Sequence, residues 1–358
     1  MIPGILLLAP LAAAQMTDPS PTGVKRLHDD FVETIEEAPR TGILERLART
    51  QPVSPADVDA LYDLFMRFPD PRARSAAISS LQLLNPSSPY LEPLFERYLD
   101  QPEPESKLFA IKGVLRLRDE HAYPVIRALA EKKFAQKDAA EVVMQGERNG
   151  WWVQYEALAA LAQWRPEQAL PLLVKKSAEA PAVARLIGTF LWAQGLPQIS
   201  KWAASPAPED RERAQQALEA PAPTSALRQT RSAMLAAMRD SNAPQELRHQ
   251  FAVKVGLSST PSEIDDLLAE HAALKDDKSK LFFATALFAT RDKKIVPILE
   301  DYAKSSQDAN VRLGALIQLK DMLAPKDFRQ VTDWVEKNDP DEVNRSAAAD
   351  GGAKLGRP

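Results

Sequence analysis

At intervals of about 32 residues the chain returns to a basic side chain that is followed, three, four and seven places on, by small or apolar residues. Arg74 leads to Ala77, Ile78 and Leu81, Lys107 to Ala110, Ile111 and Val114, and Arg248 to Phe251, Ala252 and Val255. Lys280 leads to Phe283, Ala284 and Leu287, and Arg312 to Ala315, Leu316 and Leu319. Arg185 precedes Gly188, Thr189 and Trp192, while Gln154 keeps the register ahead of Ala157, Leu158 and Leu161 without the charge. Offsets of three, four and seven lie on one face of a helix, so each unit supplies an amphipathic helix with the same buried stripe. The intervals Arg74 to Lys107 and Arg312 to Arg345 are 33 residues, and Arg248 to Lys280 and Lys280 to Arg312 are 32. A helical unit of this length cannot bury its stripe alone, so the pattern demands stacked copies and an all-α fold.

Two intervals are longer. Lys107 to Gln154 is 47 residues, which implies an insertion near 134–150. Arg185 to Arg248 is 63, room for a degenerate unit at Arg213 followed by the joint Ala220-Pro221-Ala222-Pro223, read as a bend or boundary. Partner helices fit between the basic ones, several opened by proline where its fixed φ and missing N–H cost least: Pro89–Tyr98, Tyr123–Lys132, Pro166–Ala178, Pro261–Ala272, Ile295–Lys304 and Pro325–Lys337. An acid often stands four residues before the basic position, as with Asp70, Glu103, Asp276, Asp308 and Asp341. It is expected to complement the helix start and to pair with the basic residue, worth roughly 0.2–0.5 kcal/mol.

The segments Asp70-Pro71-Arg72-Ala73-Arg74-Ser75-Ala76-Ala77-Ile78 and Asp308-Ala309-Asn310-Val311-Arg312-Leu313-Gly314-Ala315-Leu316 resemble the second helix of HEAT repeats, with a turn aspartate and a helix arginine. The unit length is similar to that of the short HEAT-like repeats of phycobilin lyases. The tetratricopeptide and ankyrin signatures are missing. The resemblance implies an α-α superhelix, a HEAT-like solenoid of about eight to nine helix pairs whose second helices line the concave side, and it implies binding rather than chemistry. On this reading residues 15–53 form N-terminal capping helices, 54–219 and 224–349 carry the repeats on either side of the 220–223 joint, and 350–358 is a flexible tail.

Residues 1–14 are uncharged and apolar and end in a small-x-small pattern at Ala12 and Ala14, which reads as a signal peptide cut after Ala14 and an exported, periplasmic or secreted product. The stretch is too short to span a bilayer. The 45 basic and 49 acidic side chains nearly cancel, so no overall positive field draws nucleic acid or anionic lipid. The absence of cysteine removes disulfides, thiolate metal sites and thiol nucleophiles.

No catalytic constellation is legible. His28, His121, His249 and His271 are scattered over different units without metal-ligand spacing, so neither a metal nor another cofactor is expected. His28-Asp29 is the core dipeptide of the helical HD phosphohydrolases, yet no preceding histidine completes that metal set, and it reads as exposed polar surface. The adjacent acids Asp29-Asp30, Asp265-Asp266 and Asp276-Asp277 point to different sides of a helix and read as solvated. Five of six tryptophans, Trp151, Trp152, Trp164, Trp192 and Trp202, fall within 52 residues. Trp164 and Trp192 read as core. Trp151 and Trp152 open a helix after the insertion, and neighbours cannot both face inward. One of them is therefore the candidate partner-binding residue, against a plain role in holding the insertion. The expectation is a non-catalytic exported scaffold holding a protein or peptide in its concave groove. The alternative is a HEAT-like solenoid enzyme, either of the DNA-glycosylase type, which a basic groove beside the tryptophans would favour, or of the lyase type.

Overall fold

Twenty α-helices and three short 3₁₀ turns account for nearly all the chain described by a computed structural model, which covers residues 23–134, 150–240, 243–275 and 277–349. Among these residues there is no strand. The expected signal peptide at 1–14, the start of the cap at 15–22, most of the insertion, 135–149, and the tail 350–358 lie outside them. The helices are α1 Gly23–Glu33, α2 Glu37–Leu47, α3 Pro55–Arg67, α4 Pro71–Leu81, α5 Glu92–Leu99, α6 Pro104–Leu117, α7 Tyr123–Glu131 and α8 Gly150–Trp164, which belong to a first compact unit ending at Arg165. A second unit, from Pro166, holds α9 Pro166–Ser177, α10 Ala184–Phe190, α11 Trp192–Ala203, α12 Pro208–Glu219, α13 Thr224–Arg239, α14 Gln245–Ser258, α15 Pro261–Ala273, α16 Asp277–Thr290, α17 Val296–Ser305, α18 Ala309–Met322, α19 Pro325–Asn338 and α20 Glu342–Ala349. The joint at Ala220–Pro223 runs inside this second unit, between α12 and α13.

Within each unit every substantial helix contact is between near neighbours in the chain. The repeated stripe is the core. Ala77, Leu81, Ala110, Ile111, Val114, Ala157, Leu158, Leu161, Phe251, Ala252, Val255, Phe283, Ala284, Leu287, Ala315, Leu316 and Leu319 are all buried. The Arg185 unit departs from the pattern, because its helix stops at Phe190 and another begins at Trp192 after Leu191 leaves helical geometry (φ −125°, ψ 27°). Trp192 is nonetheless fully buried, and its indole N–H donates to Thr230 Oγ1 at 2.8 Å.

The recurrent basic residues do something other than pair with the acid four places earlier. Arg74 Nε donates to the Phe65 carbonyl at 3.0 Å, Arg248 Nε to Met238 at 2.9 Å, Arg312 Nη1 to Ser306 at 2.7 Å and Arg345 Nη1 to Asp339 at 2.7 Å, while Lys107 Nζ bonds the Gln101 carbonyl. Each acceptor lies at or just past the end of the preceding helix. The last carbonyls of a helix lack internal partners, and a long cation rooted in the following helix reaches them without leaving the packed seam. The acids serve the helix start instead. Asp70 and Asp308 accept from the amides of Arg72 (2.9 Å) and Asn310 (2.8 Å). Arg312 also grips Asp339 through two bonds of 2.8 Å, with both side chains buried.

Local signals set the remaining elements. Ser54 and Asp57 form a reciprocal capping box ahead of Pro55, and the buried Asp57 carboxylate also takes the Lys25 amide at 3.0 Å, tying α1 to α3. Two glycines permit close helix approach: a Cβ on Gly188 would lie 2.0 Å from the Ala217 carbonyl oxygen, and one on Gly256 would lie 2.0 Å from that of Ala286.

A candidate binding groove in the second unit

The helices α14, α16 and α18 carry the repeat signal, and their apolar residues are not confined to one side. A helix of that kind needs cover on more than one face. Their first face forms the core. A second stripe, at His249, Val253 and Leu257 on α14, Leu281, Thr285, Phe288 and Ala289 on α16, and Val311, Gly314 and Gln318 on α18, lines an open groove of about 460 Å³ closed at one end by Arg291. On α14 and α16 the stripe runs at steps of four residues, one place on from Arg248 and Lys280, so it follows directly from the register of the repeat.

Leu257 is 58% exposed and Val253, Leu281 and Phe288 are half-buried, so the surface is apolar without being sealed. Gly314 sits inside α18, and a Cβ there would meet nothing within 4 Å. Glycine in a helix interior costs roughly 1 kcal/mol relative to alanine, and here no close packing offsets that cost; what the residue leaves is a notch in the wall. Gln318 Oε1 is buried without a hydrogen-bond partner. His249 and Arg291 are exposed, and among the described residues neither forms a side-chain hydrogen bond or ion pair. Two exposed polar side chains of the lining, His249 and Arg291, thus have unused hydrogen-bonding capacity, and none of the lining residues is acidic.

Trp151 and Trp152 belong to the first unit, whereas the groove belongs to the second. Trp151 is 7% exposed and Trp152 is half-buried. The Trp151 ring stacks on Tyr155 with centroids 5.2 Å apart, meets Trp152 edge-on at 5.0 Å and tilts against Phe134 at 5.7 Å. They share one aromatic cluster, in which Trp151 is buried and Trp152 is half-exposed. Trp164 stands edge-on to Tyr123, on whose other contacts the Arg165 guanidinium lies 4.2 Å from the ring centroid.

His28 is buried, not surface as its sequence context suggested. Its Nε2 lies 2.9 Å from Asp63 Oδ2 and its Nδ1 3.1 Å from Asp29 Oδ1, so the ring sits between two carboxylates and joins α1 to α3. Asp29 is held below the usual carboxylate range, chiefly by the hydrogen bond from Lys25. A second concavity, of about 490 Å³, lies beside Arg26, Arg46 and Arg49 on α1 and α2 and just beyond. Among the described residues no group of three or more histidine, aspartate or glutamate side chains is arranged to hold a metal ion, and no helix is long and apolar enough to cross a membrane.

The groove escaped the sequence reading because that reading followed only the stripe three, four and seven places after each basic residue. The signal that would have found it is the second apolar stripe on those same helices, most plainly Val253, Leu257, Leu281 and Phe288. No family model matches the chain, and no curated protein matches it. Among solved structures it is similar to a crystal structure of an engineered protein from the Northeast Structural Genomics Consortium, at 12% identity over 92% of this chain and 98% of the other, with a TM-score of 0.28, a level of likeness that assigns neither a fold family nor an activity.

Proposed function

We propose that the chain is a non-catalytic, HEAT-like helical-repeat scaffold, exported from the cytoplasm, which holds a protein or peptide partner in the groove of its second unit. The observation that carries this reading is the groove itself: a largely apolar stripe on three alternate helices, left open, with an unfilled notch at Gly314 and two exposed side chains, His249 and Arg291, of unused hydrogen-bonding capacity. Open apolar surface on a packed scaffold is costly to leave in water and is what peptide-binding grooves consist of. The superhelical form belongs to the same proposal; it is supported by the identical register of successive helices and by their packing on near neighbours alone. The groove lining offers one imidazole, one guanidinium, one hydroxyl and one amide amid apolar side chains, a composition suited to positioning a peptide.

A phage-displayed library of twelve-residue peptides selected on the full-length chain tests the groove. Gly314→Leu fills the notch from a helix position that tolerates a side chain, so it should leave the melting temperature unchanged or raised while abolishing capture of the selected peptides. Enrichment of no sequence, or equal capture by Gly314→Leu, overturns the reading. Export is tested separately by intact mass of the protein recovered from its native cell envelope; a species beginning at Gln15 is expected, and retention of residues 1–14 refutes it.

A further inference from the structure

Two non-glycine residues in the described chain have left-handed backbone, Arg118 (φ 60°) and Arg291 (φ 54°), and each follows the end of a helix. This is the position where glycine is favoured, because an L side chain there crowds the following carbonyl. Arg118 has a structural reason to be there, since its Nη1 donates to the Gln163 carbonyl on α8 at 3.1 Å. Arg291 has none. Its amide closes the turn onto Phe288 at 3.3 Å, a bond that any residue could make, and its exposed guanidinium has no hydrogen-bond or ion-pair partner among the described residues. The acid beside it, Asp292, is already used, accepting from the Lys294 amide at 2.8 Å. His249, the other charged or chargeable group lining the groove, is equally without a partner, and no carboxylate lines the groove to neutralise either.

We infer that the occupant of this groove is a peptide segment bearing a carboxylate among apolar side chains, with Arg291 as the residue that reads the carboxylate. The inference rests on the groove being a binding site. The apolar side chains of the segment would lie on Val253, Leu257, Leu281 and Phe288, and its acid would meet the planar fork of Arg291, a geometry matched to two parallel N–H···O bonds. A backbone conformation that disfavours arginine, kept where the guanidinium has no hydrogen-bond or ion-pair partner among the described residues, marks the residue as held for a ligand rather than for the fold.

The test uses the peptides selected as above, each remade with its aspartates and glutamates replaced by asparagine and glutamine, and measured by fluorescence anisotropy on the full-length chain and on Arg291→Gly. The acidic peptides should bind the unaltered protein about tenfold or more tighter than their amide versions, the worth of one charge-assisted hydrogen bond. Arg291→Gly should lose that tenfold, bind acid and amide alike, and melt at a higher temperature because the left-handed position is relieved. Gly314-dependent peptides that lack acids, or an acid preference that survives in Arg291→Gly, overturn the assignment while leaving the groove reading intact. Selection of no Gly314-dependent peptide overturns both.

Discussion

Lys254 sits in an environment far from what its type suggests. It is 6% exposed, its Nζ lies 4.6 Å from the centroid of the buried Trp192 ring and donates to the Ala220 carbonyl at 3.0 Å, and burial pushes its pKa down to about 8. No carboxylate answers the charge, so burying the cation costs free energy that the carbonyl and the indole face offset only in part. The folded chain releases this proton near pH 8, whereas the unfolded chain keeps it up to the ordinary lysine value of 10.5. Stability relative to a Lys254→Met variant should therefore be flat below about pH 8 and rise by on the order of 3 kcal/mol between there and pH 10.5. Thermal melts of the two proteins across that range check this; a gap that widens against the unaltered protein as pH rises contradicts it. None of this could be read from the sequence, where Lys254 is one more polar residue between Val253 and Val255. The consequence of placing it under the 220–223 joint depends on which distant segments meet.

At the scale of helices, spacing and breakers were enough. The spans expected at Pro166–Ala178, Pro261–Ala272 and Pro325–Lys337 end within one residue of the observed Pro166–Ser177, Pro261–Ala273 and Pro325–Asn338. Proline at the first turn and the 3.6-residue stripe are local signals, which is why they were legible. What Arg74, Lys107, Arg248, Arg312 and Arg345 bond to was not legible, because the acceptor is a backbone carbonyl, and carbonyls leave no trace in the residue pattern. The glycines give a sharp test of helix contact. Gly256 and Gly314 are both helical, but a methyl group on the first would collide with the Ala286 carbonyl oxygen at 2.0 Å while one on the second meets open space. Gly256→Ala should destabilise the fold by roughly 1–3 kcal/mol or more, since α14 and α16 must part. Gly314→Ala should stabilise it by about 1 kcal/mol through helix propensity alone. Chemical denaturation of the two variants decides the matter, and a shared sign would refute the packing argument.

Over the whole molecule, helices pack with their near neighbours in the chain, so a defect should spread only a short way. Asp339→Ala leaves the buried Arg312 guanidinium without its two bonds and should cost about 3–5 kcal/mol locally. Hydrogen exchange should then quicken in α17–α20 and stay unchanged in α1–α4. Uniform loss of protection along the chain would instead show a single cooperative globule. The all-helical class was evident from periodicity, but the groove required knowing that a second stripe on three particular helices lines one open concavity. That packing on chain neighbours has a kinetic consequence. No segment has to wait for a remote one before it can bury its apolar side, so loop-closure entropy is small at every step and the chain can assemble progressively, hairpin after hairpin, in the order in which it emerges from a ribosome or a translocation pore.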